Sequence, residues 1–237
     1  MLEAELRGKM PEDSTDNKDL LTSTAFGLLK YLSPSVFWSV ILNSAKSRSG
    51  TPFIDKCDQY GLRIDAYDKI TLHLWPNHQK YGQPDILLVL HGGTQSPLFF
   101  IIEVKLWSQK SEKGPDDQLC RYLNALNDFQ WLVGISHLDQ PFLLPGVIYL
   151  TPRVAWNEID ESIKCAGNPQ LAKNDLFSLT WQDVAETAKS LSLSVLEPNR
   201  SILTDVARLF EYKGLYRRAV LSPVLHRVSE IQSWCPF

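Results

Sequence analysis

The chain has 237 residues, of which 44% are hydrophobic and 22% charged, with a formal net charge of −3. That composition sustains a core, excludes wholesale disorder and gives no overall basic footprint of the kind nucleic-acid binders usually carry. Without a run approaching about 18 apolar residues, and with a charged N-terminus that has no signal core, a cytoplasmic protein without membrane contact is the expectation. The four cysteines have no CxxC spacing and the five histidines are scattered, so neither a disulfide frame nor a zinc site is expected.

Residues 1–18 form a polar N-terminal segment, and residues 19–237 are expected to make one domain. DLLTSTAFGLLKYL, from Asp19, has apolar residues at Leu20, Leu21, Phe26, Leu28, Leu29 and Leu32, with Ala25 and Leu29 on one face, and reads as a core-facing helix stopped near Pro34. A second helix is expected over Ser35–Ala45, followed by a Ser-, Gly- and Pro-containing loop over Lys46–Pro52. A strand is expected near Lys69–Trp75. ILLVL and LFFIIEVKLW are continuously apolar, as burial on both faces gives, and are joined by the turn HGGTQSP; the three strands together read as an antiparallel meander. SQKSEKGPDD reads as a charged loop. One helix is expected through DDQLCRYLNALNDFQWLVGI, capped by Asp116 or Asp117, with Leu119, Leu123 and Leu126 as its apolar stripe. GVIYLTP follows as a strand parallel to an earlier one. Helix 156–166, strand LFSLTW, helix DVAETAKSL and a last helix over Ser201–Tyr212 complete an α/β fold with a mixed central sheet. From Arg200 to Arg227 six basic residues face only Asp205 and Glu211, so this segment could track phosphates or be an ordinary solvated face.

Three charged residues interrupt the apolar meander. Asp85 opens one strand; Glu103 and Lys105 close the next and share a face at i, i+2. A hairpin around HGGTQSP sets the start of the first strand beside the end of the second, which gathers the three side chains. Two carboxylates suit Mg²⁺ or Mn²⁺, and a lysine beside them could position water or stabilise developing charge. The plainer reading is a salt bridge between Lys105 and either acid. Glu211-Tyr212-Lys213 repeats the spacing, but in an expected helix without a preceding Pro-Asp.

Pro84-Asp85, the apolar hairpin and Glu103-x-Lys105 resemble the PD-(D/E)xK nuclease superfamily. Gln118 and Tyr122, four apart on a helix, resemble the QxxxY motif of its RecB-like members, where it helps place DNA. The resemblance implies a restriction-endonuclease-like core and divalent-metal-dependent hydrolysis of DNA phosphodiester bonds. Asp85, Glu103 and the Val104 carbonyl would be metal ligands, with Lys105 the catalytic lysine. Gln118, Tyr122 and the intervening Arg121 would contact DNA, as would Arg217 and Arg218 in the basic segment. Many members carry an acid on the first core helix. Asp19 is the first candidate, beside Glu12 and then Glu3 and Glu5; Lys18 stands where an ED-x-LTS-type helix start has its other acid, and Asp19 could instead cap the helix. Asp65, in GLRID, is a rival to Asp85. A catalytically inactive module binding nucleic acid or protein, and a hydrolase of small phosphate substrates, are the competing functions. A homo-oligomer or a separate motor partner is compatible with the chain, which has no P-loop of its own.

Overall fold

The computed structural model describes residues 17–106, 108, 110, 117–138 and 143–216. Helix α1 (Lys18–Leu29) begins one residue before the expected start. Asn17 caps it, its side-chain oxygen accepting from the Asp19 and Leu20 amides, so Asp19 is a first-turn residue rather than the cap. The expected second helix divides into a π-helical turn (Pro34–Trp38) and α2 (Ser39–Ser44). Within the expected loop, Lys46 and Ser47 form the short strand β1, and α3 (Phe53–Gln59) follows it. A two-residue strand carries no readable alternation, so β1 is visible only through its partner.

The meander comprises β2 (Lys69–Leu74), β3 (Ile86–His91) and β4 (Leu98–Val104). The helix expected through residues 116–135 breaks into α4 (Gln118–Ala125) and α5 (Phe129–Ser136). Asp128 causes the break: its carboxylate accepts from the Trp131 amide at 3.1 Å and caps a new helix. Asp117 caps α4; Asp116 lies outside the described residues. Then come β5 (Leu143–Thr151), α6 (Trp156–Cys165), α7 (Pro169–Asp175), β6 (Leu176–Thr180), α8 (Trp181–Ser192) and α9 (Asn199–Tyr212). The unanticipated α7 starts with an Asn168 cap and a proline at its first position, a helix-start signal in plain sequence.

Among the described residues the strands form one six-stranded sheet in the order β1-β6-β5-β4-β3-β2. β2, β3 and β4 pair antiparallel, whereas β5 lies parallel to both β4 and β6. The sheet is therefore mixed, with the expected meander and the expected parallel strand after a helix. Gly146, at φ 139°, lets β5 pass the backbone of Asp175; a Cβ there would stand 2.1 Å from the Asp175 carbonyl oxygen.

The pleat divides the core. Ile86, Leu88, Phe100, Ile102 and Val104 pack on one face with α1, α2, α8 and α9. Leu87, Val89, Phe99 and Ile101 pack on the other with α4 and α6, and Leu119, Tyr122 and Leu126 of α4 are buried there, Leu123 partly. Burying each such side chain stabilises the fold by roughly 1.5–3 kcal/mol. Odd-numbered positions of β3 and β4 thus face α4, a parity that decides where the charged residues go. No single helix among the described residues is long and apolar enough to cross a membrane.

Candidate active site

Asp85, Glu103 and Lys105 continue the odd-numbered face of β3 and β4 toward the N-terminal end of α4. The ladder fixes their backbones: Trp75 N–H donates to the Asp85 carbonyl at 2.9 Å, and Lys105 N–H to the Leu150 carbonyl at 2.8 Å. The Trp181 indole holds the Lys105 carbonyl from the other side, at 2.9 Å. Asp85 Oδ2 accepts from the Val104 amide at 2.8 Å, joining the two strand ends. Glu103 Oε1 is 3.0 Å from Lys105 Nζ. All three side chains are buried, at 8% exposure or less.

The helix supplies the second half. Gln118 Nε2 donates to Glu103 Oε1 at 2.9 Å and to the Tyr122 hydroxyl at 3.0 Å, while Lys105 Nζ donates to Gln118 Oε1 at 3.2 Å. Gln118 therefore fixes Glu103 and Lys105 relative to each other. The Tyr122 hydroxyl passes the bond on to the Gln83 carbonyl at 3.0 Å. Burial and the nearby Glu103 carboxylate push its pKa well up, so it remains a donor. Arg121 follows on α4, half-buried beside Gly82.

Burial and the Asp85 carboxylate raise Glu103 to about 7, against the opposing pull of Lys105 and Lys18. Lys18 is the residue that the sequence did not place here. It reaches from α1, across 67 positions of sequence, to donate to Asp85 Oδ1 at 2.6 Å. It also lies 3.5 Å from Asp19 Oδ1. Burial works against its charge, yet the hydrogen bond to Asp85 and the charges of Asp85, Glu103 and Asp19 raise its pKa. The signal was the break in the acidic helix start: a lysine where the resemblance has an acid.

Asp85 and Glu103 offer hard carboxylate oxygens, the donor type that Mg²⁺ or Mn²⁺ takes. Asp19 is peripheral, with a side chain 59% exposed. No group of three or more His, Cys, Asp or Glu suited to a metal occurs among the described residues. The Lys18 ammonium occupies Asp85 Oδ1 in this arrangement.

Beyond Lys105 a cleft of about 930 Å³ opens, lined among others by Thr151, Arg153, Trp156 and Asn157. Beside it lies a polar cluster missed in the charged loop. The Lys110 ammonium is fully buried against Asp117, Ser162 Oγ (2.7 Å) and the Glu158 carbonyl (3.1 Å), and Glu158 Oε2 takes the Tyr149 hydroxyl at 2.8 Å. These bonds tie the α4 N-terminus to α6.

The other candidates lie elsewhere. Asp65 pairs with Arg63, whose backbone exchanges hydrogen bonds with Gln95 in the hairpin turn, so Asp65 stands at the opposite end of β3 and β4 from Asp85. Glu211 pairs with Lys189 on α8, and Lys213 lies just beyond α9, away from any strand. Glu3, Glu5, Glu12, Arg217 and Arg218 lie outside the described residues. A scan against protein-family models, a search of curated proteins and a search of solved structures find no match to this chain.

Proposed function

We propose that the chain is a divalent-metal-dependent nuclease that hydrolyses DNA phosphodiester bonds on a restriction-endonuclease-like core. One observation carries the reading. Two carboxylates and an ammonium are buried at one end of an apolar hairpin, and Glu103 and Lys105 share a hydrogen-bond network with Gln118 and Tyr122 of the following helix. Burying charges is costly unless they are paired, as these are.

In this reading Asp85, Glu103 and the Val104 carbonyl hold Mg²⁺ or Mn²⁺. The bound ion would supply an activated water and stabilise charge on a phosphoryl oxygen. Lys105, beside Glu103, would position the attacking water or stabilise developing charge. Gln118 keeps both in register, and Tyr122 locks Gln118 from behind. Asp19 sits at the rim. The cleft lined by Arg153, Trp156 and Asn157 gives the nucleic acid its approach to Lys105; Arg121 borders the site from α4, and Arg217 and Arg218 extend the contact if they reach DNA.

The test is cleavage of linear, circular and single-stranded DNA by purified protein in Mg²⁺ and in Mn²⁺, beside Lys105→Ala. The expected outcome is cleavage by the wild type and a loss of roughly 10²-fold or more in the variant. Equal activity in both proteins would discard the assignment of Lys105. The second reading, an inactive module that binds nucleic acid or a protein, is favoured by the Lys18 ammonium seated on Asp85. DNA binding without cleavage in either ion would select it.

A further inference from the structure

Lys18 has no part in the chemistry above, and local rules disfavour its position. It is the first residue of α1, where the helix dipole presents partial positive charge and an acid is the stabilising choice. The Asn17 side chain already accepts from the Asp19 and Leu20 amides there, and an ammonium has no acceptor to offer a cap. What holds it is the tertiary pair. Its ammonium stands 2.6 Å from Asp85 Oδ1 and 3.5 Å from Asp19 Oδ1, within the field of Glu103. Asp85 Oδ2 is committed to the Val104 amide, which leaves Oδ1 as the Asp85 oxygen that faces a cation.

An ammonium and a hard divalent ion ask for the same surroundings: carboxylate oxygens and negative charge. Held at contact distance on the one oxygen, the two cations repel each other, so each weakens the other there. The Lys18 side chain is 30% exposed and long enough to swing its ammonium into water. We infer that Lys18 is a tethered cation that occupies the metal position, and that a divalent ion binds by displacing it from Asp85. The inference rests on the metal-dependent reading of this site and adds its regulation. Without metal, the ammonium offsets the repulsion between Asp85 and Glu103. With metal, the tether competes at a high effective concentration, because it is held to the same fold.

The experiment measures Mn²⁺ binding to the full chain without DNA, from the electron paramagnetic resonance signal of free Mn²⁺. Lys18→Met and Lys18→Gln keep the side-chain length and remove the charge. Each is expected to bind Mn²⁺ on the order of tenfold more tightly than the wild type. Lys18→Arg, which keeps the charge, should retain the wild-type affinity, and adding Asp85→Asn to Lys18→Met should remove the gain. In the wild type, acylation of Lys18 followed by mass spectrometry should rise with Mn²⁺ saturation, as the displaced amine enters water. Equal or weaker Mn²⁺ binding in the Met and Gln variants overturns the inference, as does absence of binding in every variant or labelling of Lys18 indifferent to Mn²⁺. DNA cleavage separates the two ideas. Tighter binding in the variants with no cleavage by any protein keeps the tethered cation and discards the nuclease. Cleavage by the wild type with unchanged Mn²⁺ affinity in the variants does the reverse.

Discussion

At one end of the β3–β4 hairpin Asp85 meets Lys18 at 2.6 Å and Glu103 meets Lys105 at 3.0 Å; at the other end Arg63 meets Asp65 at 2.8 Å. The contacts are alike in length and differ in surroundings. The Asp85 and Glu103 side chains are 6% and 2% exposed, whereas those of Arg63 and Asp65 are 72% and 48% exposed. Water screens the second pair and already solvates its members when they separate. Asp85, Glu103 and Lys105 have lost most of their water, so each of these depends on a named protein partner. Ion-pair geometry therefore says little about function until burial is added: the same chemistry is surface texture at the turn and a committed site at the strand ends.

Substitutions at the two ends test that contrast. The largest effect is expected for Asp85→Ala, which leaves the buried Val104 amide without its acceptor and Lys18 with only the more distant Asp19. It should destabilise the metal-free protein by about 3 kcal/mol in urea unfolding. The next is a pH effect at Glu103, whose folded pKa of about 7 lies above its ordinary 4.5. Between these values the folded chain keeps a proton that the unfolded chain has released. Its contribution to stability is thus complete at low pH and is lost as pH rises toward 7. From pH 5 to pH 8, without divalent ions, wild type should lose about 2 kcal/mol relative to Glu103→Gln. A flat difference would mean that Glu103 is ionised throughout and that burial is the wrong explanation. Tyr122→Phe removes one hydroxyl that both donates to Gln83 and accepts from Gln118. It should cost about 1 kcal/mol and loosen Gln118. The smallest effect is expected for Asp65→Ala, with no measurable change in the thermal midpoint. A shift there equal to that of Asp85→Ala would break the comparison.

The sequence exposed the parts whose logic is local. β3 and β4 are continuous apolar runs, and the charges at their ends stand out because apolar strands have no packing use for them. Gln118 and Tyr122 are four apart on one helix face, a spacing that needs no tertiary information. Other parts depend on contacts far along the chain. Lys18 looks like a solvated helix-start lysine until α1 is packed beside Asp85. Lys110 sits among Ser, Gln, Lys and Glu in a stretch that reads as solvent-exposed, yet its ammonium is enclosed by Asp117, Ser162 and Glu158. β1 is too short to carry a pattern and exists because Lys46 and Ser47 meet Ser178 and Phe177. The break at Asp128 was readable as an N-cap signal, but the apolar residues on either side keep helical spacing and mask it.

The packing of α1 has a temporal consequence. Leu21, Ala25 and Leu29 of this first helix belong to the same core as Leu203, Val206 and Phe210, and α1 lies directly against α9. During synthesis Lys18 therefore leaves the ribosome before Asp85 and Glu103, and the helix that backs α1 leaves it after them. A nascent chain ending before residue 199 would hold Asp85 and Glu103 in their hairpin while α1 still lacked its final support. Glu103 would then already have Lys105 beside it, while Asp85 would still await the seating of Lys18.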